Sequence, residues 1–240
     1  MDVVEILPRL HLLRFPVGQA CPWYDDRELT LIDAGPVGSG ASIAAGITSL
    51  GRDPGAAGRI VLTQFHEDHM GGAAEFATLG GAEVLTHRLA APVVRGEVPG
   101  PPPVFEDWER PIHAEAVGRL PPGDVQHPGL VTELDDGNIL DFGGGAHVVH
   151  SPGHTDGSIA LHLPEHGVLF TGDAVASSPI DGEVTLGVFN VDRAQAIASF
   201  HRPAALDPDV ACFGHGDPVI GGAGAALRRS TDKHTAPRRG

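Results

Sequence analysis

The sequence predicts an α/β fold built on mixed β-sheets, and three observations carry that expectation. Short apolar runs closed by Gly or Pro alternate with stretches of helical periodicity in both halves of the chain. With 240 residues the chain is long enough for one large domain that buries its core without metal or disulfide staples. Its composition, 41% hydrophobic and 20% charged, is that of a folded globular protein rather than a disordered one.

Residues 3–7 and 10–15 are apolar runs closed by Pro8 and Pro16 and read as strands, with a third strand at 28–32. Asp33-Ala34-Gly35-Pro36 is a turn. A helix is expected over 39–50, where Ile43 and Ile47 stand four apart and Ser39 can cap the N-terminus. A loop at 51–58 leads to a buried strand at 59–63, which runs into Gln64-Phe65-His66-Glu67-Asp68-His69. A helix from about 72 to 79 and a strand at 82–86 follow.

The middle of the chain changes character. Pro99, Pro101, Pro102 and Pro103 crowd its start, and Pro121, Pro122 and Pro128 its end. Between them Phe105, Trp108, Ile112 and Ala116 recur at helical spacing, with Pro111 expected to kink or break that helix. Residues 96–129 therefore read as an insertion into one fold, because the strand pattern resumes afterwards. Strands are expected at 139–140, 147–150, 158–163, 168–171 and 210–213. Helices are expected at 192–200, capped by Asp192, and from 222 to about 230. The organisation is one domain over 1–230, with 231–240 a polar, basic tail expected to fray.

Sixteen basic against 31 acidic residues give a net charge of −15, a field that repels phosphate backbones and argues against nucleic acid as a partner. Two separated cysteines, Cys21 and Cys212, exclude a disulfide framework or a Cys-based zinc site. No run of about 18 apolar residues suits a membrane span. The opening Met1-Asp2-Val3-Val4-Glu5 has no secretory character, so the expected compartment is the cytoplasm. The unusual number is 14 histidines beside a single lysine, Lys233. Histidine is the commonest metal ligand, so the positions of these histidines decide the reading.

Polar clusters stand at the ends of expected strands: Leu31-Ile32-Asp33-Ala34-Gly35, then 64–69, Gly153-His154-Thr155, Thr171-Gly172-Asp173 and Gly214-His215-Gly216. Glycine lets backbone bend sharply and approach a small site closely. Imidazoles and carboxylates together suit zinc, and also manganese or iron. His66, Asp68 and His69 share one turn, so their side chains can diverge towards two adjacent metals, a recurrent hydrolytic device. The pattern is not a zincin helix, since the two histidines are three apart rather than four. Glu67 is then an exposed loop residue. Most other histidines, among them His11, His147, His162, His166, His201 and His234, read as ordinary surface or core residues. His150 reads as structural, and His87 and His113 lie near the expected mouth of the site.

Thr63-Gln64-Phe65-His66-Glu67-Asp68-His69-Met70-Gly71-Gly72, with Ser151-Pro152-Gly153-His154-Thr155 and the two later clusters, resembles the metallo-β-lactamase superfamily of metal-dependent hydrolases. The resemblance runs from Leu31 to Gly216 and rests on five ordered motifs. It implies a four-layer αββα sandwich, two mixed sheets face to face with helices outside. It implies one metal held by His66, His154 and residue 64, a second held by Asp68, His69 and His215, and Asp173 bridging both. Asp33 resembles the family's early aspartate, a carboxylate that supports the ligands without being one. Where the family has His, this chain has Gln64, whose neutral amide oxygen is a poorer zinc ligand than imidazole.

The activity so implied is hydrolysis of a small carbonyl substrate, a lactone, ester, thioester or β-lactam-like compound. A metal-bound hydroxide would be the nucleophile, and Asp68 would orient it and carry its proton. The short segment after His215 counts against a glutathione thioester. The rival reading is a metal-binding protein with little or no catalysis because of Gln64. A mononuclear iron oxygenase on the same fold would need the first metal site intact.

Overall fold

The structure is a computed structural model that describes residues 1–26 and 28–235. The first half contains β1 (Asp2–Leu7), β2 (Leu10–Arg14), β3 (Gln19–Tyr24), β4 (Leu29–Ile32), α1 (Gly40–Ser49), β5 (Ala57–Leu62), α2 (Glu67–Met70), α3 (Ala73–Gly80), β6 (Glu83–His87), α4 (Ala91–Val94), α5 (Arg110–Arg119) and β7 (Thr132–Leu134). Its seven strands form one sheet in sequence order, antiparallel from β1 to β4 and parallel from β4 to β7. The second half contains β8 (Ile139–Leu140), β9 (Ala146–His150), β10 (Ile159–Leu163), β11 (Val168–Phe170), β12 (Val175–Ser177), β13 (Val184–Leu186), α6 (Arg193–Ala205), β14 (Val210–Cys212), β15 (Val219–Ile220) and α7 (Ala223–Thr235). Six of its strands form a second sheet in the order β15-β14-β11-β10-β9-β8, and β12 and β13 pair as a hairpin.

Period-two alternation decides the layering. Leu12, Trp23, Ile32, Val61 and Leu85 of the first sheet meet Val148, Leu161, Phe170 and Cys212 of the second in a central core. Their sequence neighbours Leu13, Leu31, Ile60, Leu62 and Val84 face the other way, onto Ile43 and Ile47 of α1 and Phe76 of α3. In the second sheet Ala160, Leu169 and Ala211 turn outward onto Phe200 of α6 and Leu227 of α7. The result is the expected four-layer αββα sandwich. Each fully buried Leu, Ile or Phe in these three layers contributes about 1.5–3 kcal/mol over exposure.

Several local expectations are corrected. Strand β3 lies where no strand is expected, because Pro22 interrupts the pattern. Its registered partners on β2 are Leu10↔Trp23, Leu13↔Ala20 and Arg14↔Gln19, so the proline sits at a gap in that ladder while pairing with Leu31 on the other side. Ser39 makes no side-chain cap to α1. Glu75 of α3 instead accepts from Gly40 N and Ala41 N, both at 3.1 Å. Pro111 does not kink α5, since the helix begins at Arg110 and proline fits a first turn. Phe105 and Trp108 precede that helix. Asp192 caps α6 as expected, accepting from Gln195 N at 2.9 Å, but the helix continues beyond Phe200 to Ala205, with Pro203 and Ala204 buried. Helix α7 reaches Thr235, held by a buried Thr231 and by His234, whose Nε2 accepts from Leu186 N at 3.3 Å. The rest of the expected tail, 236–240, lies outside the described residues.

Trp108 is half exposed and donates its indole N–H to Glu106 Oε2 at 2.7 Å. Trp108→Ala is expected to change the melting temperature by less than about 2 °C, as for a surface substitution. Substrate affinity should change more, because the variant removes one of the contacts that position Glu106, which also holds Arg193 at 3.2 Å. A large thermal loss with unchanged affinity would place Trp108 in the core instead.

Candidate metal centre

Every cluster singled out in the sequence leaves the carboxyl end of a strand: Asp33 after β4, 63–69 after β5, His154 after β9, Asp173 after β11 and His215 after β14. Helix α2 is a single turn with His66 at its N-cap in extended conformation, and both His69 N and Met70 N donate to His66 O at 3.0 Å. The tight turn sends neighbouring side chains in different directions. His66 joins His154 and Asp173, while Asp68 and His69 join His215, and within each trio the ligand atoms lie within 4.8 Å of one another. All six histidines and aspartates that the sequence proposes as ligands are thus brought together. Glu67 is exposed on the same turn.

Asp173 stands between the two trios. Its Oδ2 is 3.2 Å from His69 Nε2, 3.4 Å from His215 Nε2 and 3.6 Å from His154 Nε2. Gln64 Nε2 donates to the same oxygen at 2.9 Å. A carboxylate is acceptor-only when ionised, so it is the amide nitrogen of Gln64, not its oxygen, that faces the centre. Asp173 Oδ1 and Gln64 Oε1 are both buried and have no hydrogen-bond partner.

These observations test whether a divalent cation fits. Four imidazoles and two carboxylates form a donor set suited to zinc, manganese or iron. A buried carboxylate oxygen without a donor is an uncompensated cost that a cation removes. Room beside it depends on Gly214, where a Cβ would stand 2.0 Å from Asp173 Oδ1 and 2.6 Å from His69 Cε1. Gly18 does the same for the turn: with φ +74° it passes so close that a Cβ would meet Asp68 O at 2.2 Å. The residues fit the metal.

The supporting contacts fix which nitrogens face the centre. Asp33, buried after β4, accepts from Thr63 N at 2.7 Å, Thr63 Oγ1 at 2.8 Å and His69 Nδ1 at 2.9 Å. That bond commits the His69 proton to Nδ1 and turns Nε2 towards Asp173. His154 Nδ1 donates to Val188 O at 3.0 Å, which leaves its Nε2 as the unprotonated nitrogen, 3.1 Å from His66 Nδ1. Asp33→Asn places an amide N–H₂ against His69 Nδ1 and favours the opposite tautomer. The expected result is a loss of metal affinity of about 10–100-fold, with destabilisation of about 1–3 kcal/mol from the mismatched buried group. Metal titration and thermal melts of the metal-free protein check the two effects separately.

Electrostatics divide the site. Burial, with His154 beside it, pushes His66 down to about 3. Burial likewise lowers His154, although Asp173 opposes it. Desolvation would also lower His69 and His215, but the surrounding carboxylates outweigh it, holding His69 well above its usual value and His215 up at about 10. Burial works against ionisation of Asp68 too, yet His69 and His215 bring it down to about 2. In the absence of a cation, the protons on His69 and His215 balance the clustered carboxylates.

The other histidines form no third trio among the described residues. His87 is buried and stacks on His150 at 4.0 Å with an interplanar angle of 12°; burial and then His150 lower it to about 4. His113 sits against Phe105 and Phe189 at ring separations of 4.5 and 5.2 Å. Sequence reasoning missed the segment 187–193, which carries the carbonyl that orients His154, and missed Glu109, which is buried and accepts from Phe189 N at 3.3 Å. Neither has a local sequence signal, because each acts on a partner distant in the chain, Val188 O on His154 and Glu109 on Phe189 N.

The sequence profile of the metallo-beta-lactamase superfamily matches residues 22–215, and the chain belongs to that superfamily. Among curated relatives, the probable metallo-hydrolase YflN of Bacillus subtilis is 27% identical over 175 residues, 68% of this chain and 65% of that protein. A hydroxyacylglutathione hydrolase of Cereibacter sphaeroides is 28% identical over 160 residues, 65% of this chain and 48% of the enzyme. The chain thus spans about half to two thirds of the length of these relatives. The crystal structure of a metallo-beta-lactamase family protein from Thermus thermophilus superimposes with a TM-score of 0.70 at 24% identity, covering 96% of this chain and 80% of that one. At that identity the likeness establishes the fold. No helix of the described residues is long and apolar enough to cross a membrane.

Proposed function

We propose that the chain is a metal-dependent hydrolase acting on a small carbonyl substrate, a lactone, ester, thioester or β-lactam-like compound. The observation that carries this reading is the pair of donor trios meeting at Asp173 Oδ2, with His66 and His154 on one side and Asp68, His69 and His215 on the other. Zinc is the proposed metal, with manganese or iron as alternatives. A divalent cation in such a site supplies Lewis acidity towards a carbonyl oxygen and lowers the pKa of water to about 7. The remaining work falls to the chain. Asp68 Oδ2, 3.1 Å from His215 Nε2, is placed to orient the attacking water, take its proton and pass it to the leaving group. Asp33 and Val188 O keep His69 Nε2 and His154 Nε2 turned inward throughout.

The membership of the superfamily and the relatives named above support hydrolysis as the reaction class. The net charge of −15 supports a small molecule over nucleic acid as substrate. Elemental analysis of protein purified without chelating resin, followed by turnover of an ester, thioester and lactone panel, tests the proposal. Metal-dependent turnover that disappears in Asp68→Asn supports it. Full metal occupancy with no turnover of any class supports the second reading, a metal-binding protein with little catalysis. One observation favours that reading: Gln64 presents an N–H to Asp173 where an imidazole ligand would stand.

A further inference from the structure

The peptide unit between Val188 and Phe189 is gripped at both ends. Its carbonyl accepts from His154 Nδ1 at 3.0 Å, and its N–H donates to Glu109 Oε1 at 3.3 Å. The peptide is planar and trans, so its C=O and N–H point in opposite directions, and His154 and Glu109 stand on opposite sides of it. Glu109 belongs to the proline-rich insertion, at the N-terminal boundary of α5, and is 2% exposed. Its other oxygen, Oε2, accepts from Glu106 N at 2.8 Å. Acceptance of main-chain N–H groups on both oxygens is the role of an ionised carboxylate.

The backbone beside this peptide needs to be held. Phe189 has a φ of +60°, in the left-handed region, where a bulky side chain crowds its own main chain. Phe105 and His113 of the insertion pack on its ring at 5.7 and 5.2 Å. On the other flank Asn190 Nδ2 donates to Gly187 O at 2.7 Å, and Val191 N donates to His154 O at 3.2 Å. These contacts fix the course of the segment. Glu109 adds a contact to the 188–189 peptide itself, and so sets the direction of the Val188 carbonyl. A carboxylate on the N–H also polarises the amide, which makes its carbonyl oxygen a stronger acceptor for the His154 proton. A stronger acceptor at Nδ1 keeps the proton there and makes Nε2 the more basic donor to a metal.

We propose that Glu109 is a positioning residue for His154. Through the 188–189 peptide it holds the imidazole proton on Nδ1 and keeps Nε2 turned into the first donor trio. Each trio then has one buried carboxylate behind a histidine: Asp33 directly on His69 in the second, Glu109 through one peptide on His154 in the first. The insertion thereby sets the quality of the trio that lacks an imidazole at position 64. This inference rests on the reading of His154 as a metal ligand.

The first measurement uses the full-length metal-free protein with ¹⁵N-labelled histidine. The expected spectrum shows His154 protonated at Nδ1 and unprotonated at Nε2. Glu109→Leu, which removes the acceptor, should move His154 towards the Nε2–H form. Glu109→Gln, whose amide oxygen can still take the Phe189 N–H, should keep the tautomer while the Nδ1–H proton moves upfield, because the charge is gone. Arg193→Gln breaks the Glu106–Arg193 ion pair between the same two segments and should leave His154 unchanged. The second measurement is calorimetric titration with zinc. Glu109→Leu should weaken the weaker zinc position by about tenfold, the low end for a partner that supports a ligand, and spare the tighter one. A purely structural Glu109 would lower the melting temperature of Glu109→Leu with the His154 signals and zinc affinities unchanged, and that result overturns the proposal. An effect of Arg193→Gln equal to that of Glu109→Leu overturns it too. Should Glu109→Leu fail to fold, Glu109→Gln decides alone, and an unmoved Nδ1–H resonance refutes the relay. If the unmodified protein binds no zinc, the reading of His154 as a ligand fails, and the histidine spectra still show whether Glu109 directs its proton.

Discussion

Asp173→Asn is expected to strip the protein of divalent metal under conditions that saturate the unmodified chain. Asp173 Oδ2 lies within 3.6 Å of three imidazole nitrogens drawn from both trios, so one substitution reaches both halves of the centre. An amide has nearly the same shape but no charge, and either orientation turns an N–H₂ towards an inward-facing nitrogen or towards the cation. Partners that merely support ligands are worth about 10–100-fold in affinity, so this change should cost at least about 100-fold. A thermal readout makes the effect independent of activity. Zinc at 100 times its dissociation constant adds about 2.7 kcal/mol of stability. For a chain of this size that raises the melting temperature by about 5–11 °C. The unmodified protein should show that rise and Asp173→Asn should not, while His113→Ala, outside both trios, should keep it. A zinc affinity in Asp173→Asn within threefold of the unmodified protein would remove Asp173 from the centre.

The parts of this molecule that are legible in its sequence are those encoded by local repetition. Alternation at Leu12/Leu13, Leu31/Ile32 and Leu169/Phe170 announces strands with two buried faces, and the sandwich follows from it. The six clustered side chains are legible because each sits beside glycine or in a tight turn after an apolar run. Features set by distant groups are not legible. Pro22 hides β3, since whether a proline is tolerated depends on which partner strand lacks a bond opposite it. The cap of α1 comes from Glu75, 35 residues beyond Gly40, so Ser39 is a false signal. Trp108 offers apolar surface in the sequence, yet it stands half exposed while Phe105 packs against His113 and Phe189, because the helix starts two residues after the tryptophan rather than before it. Glu109 acquires its role only where it meets Phe189 N, 80 residues further along the chain.

Gln64→His is expected to raise metal stoichiometry from near one towards two when metal is scarce. In the unmodified chain the second trio has Asp68, His69 and His215 complete, while the first has only His66, His154 and the shared Asp173. Gln64 adds no ligand in its present orientation, because its Nε2 is engaged with Asp173 Oδ2 and its Oε1 is buried elsewhere without a partner. To ligate, the amide must turn over, giving up the 2.9 Å hydrogen bond to Asp173 for contact between a neutral oxygen and the cation. That exchange recovers little, since an imidazole binds zinc better than an amide oxygen does. Histidine at 64 needs no exchange and is close to glutamine in volume, so the 1%-exposed position should accept it without a large packing cost. Affinity at the first trio should rise by at least about tenfold, beyond the smallest effect expected of a supporting partner. If the reaction uses both ions, turnover at limiting zinc rises in parallel. Should turnover instead fall while zinc content rises, Gln64 serves the substrate through its amide and the metal asymmetry is part of the enzyme's design. Two equally tight sites in the unmodified protein, seen by calorimetric titration, would show that Gln64 already ligates and that the asymmetry does not exist.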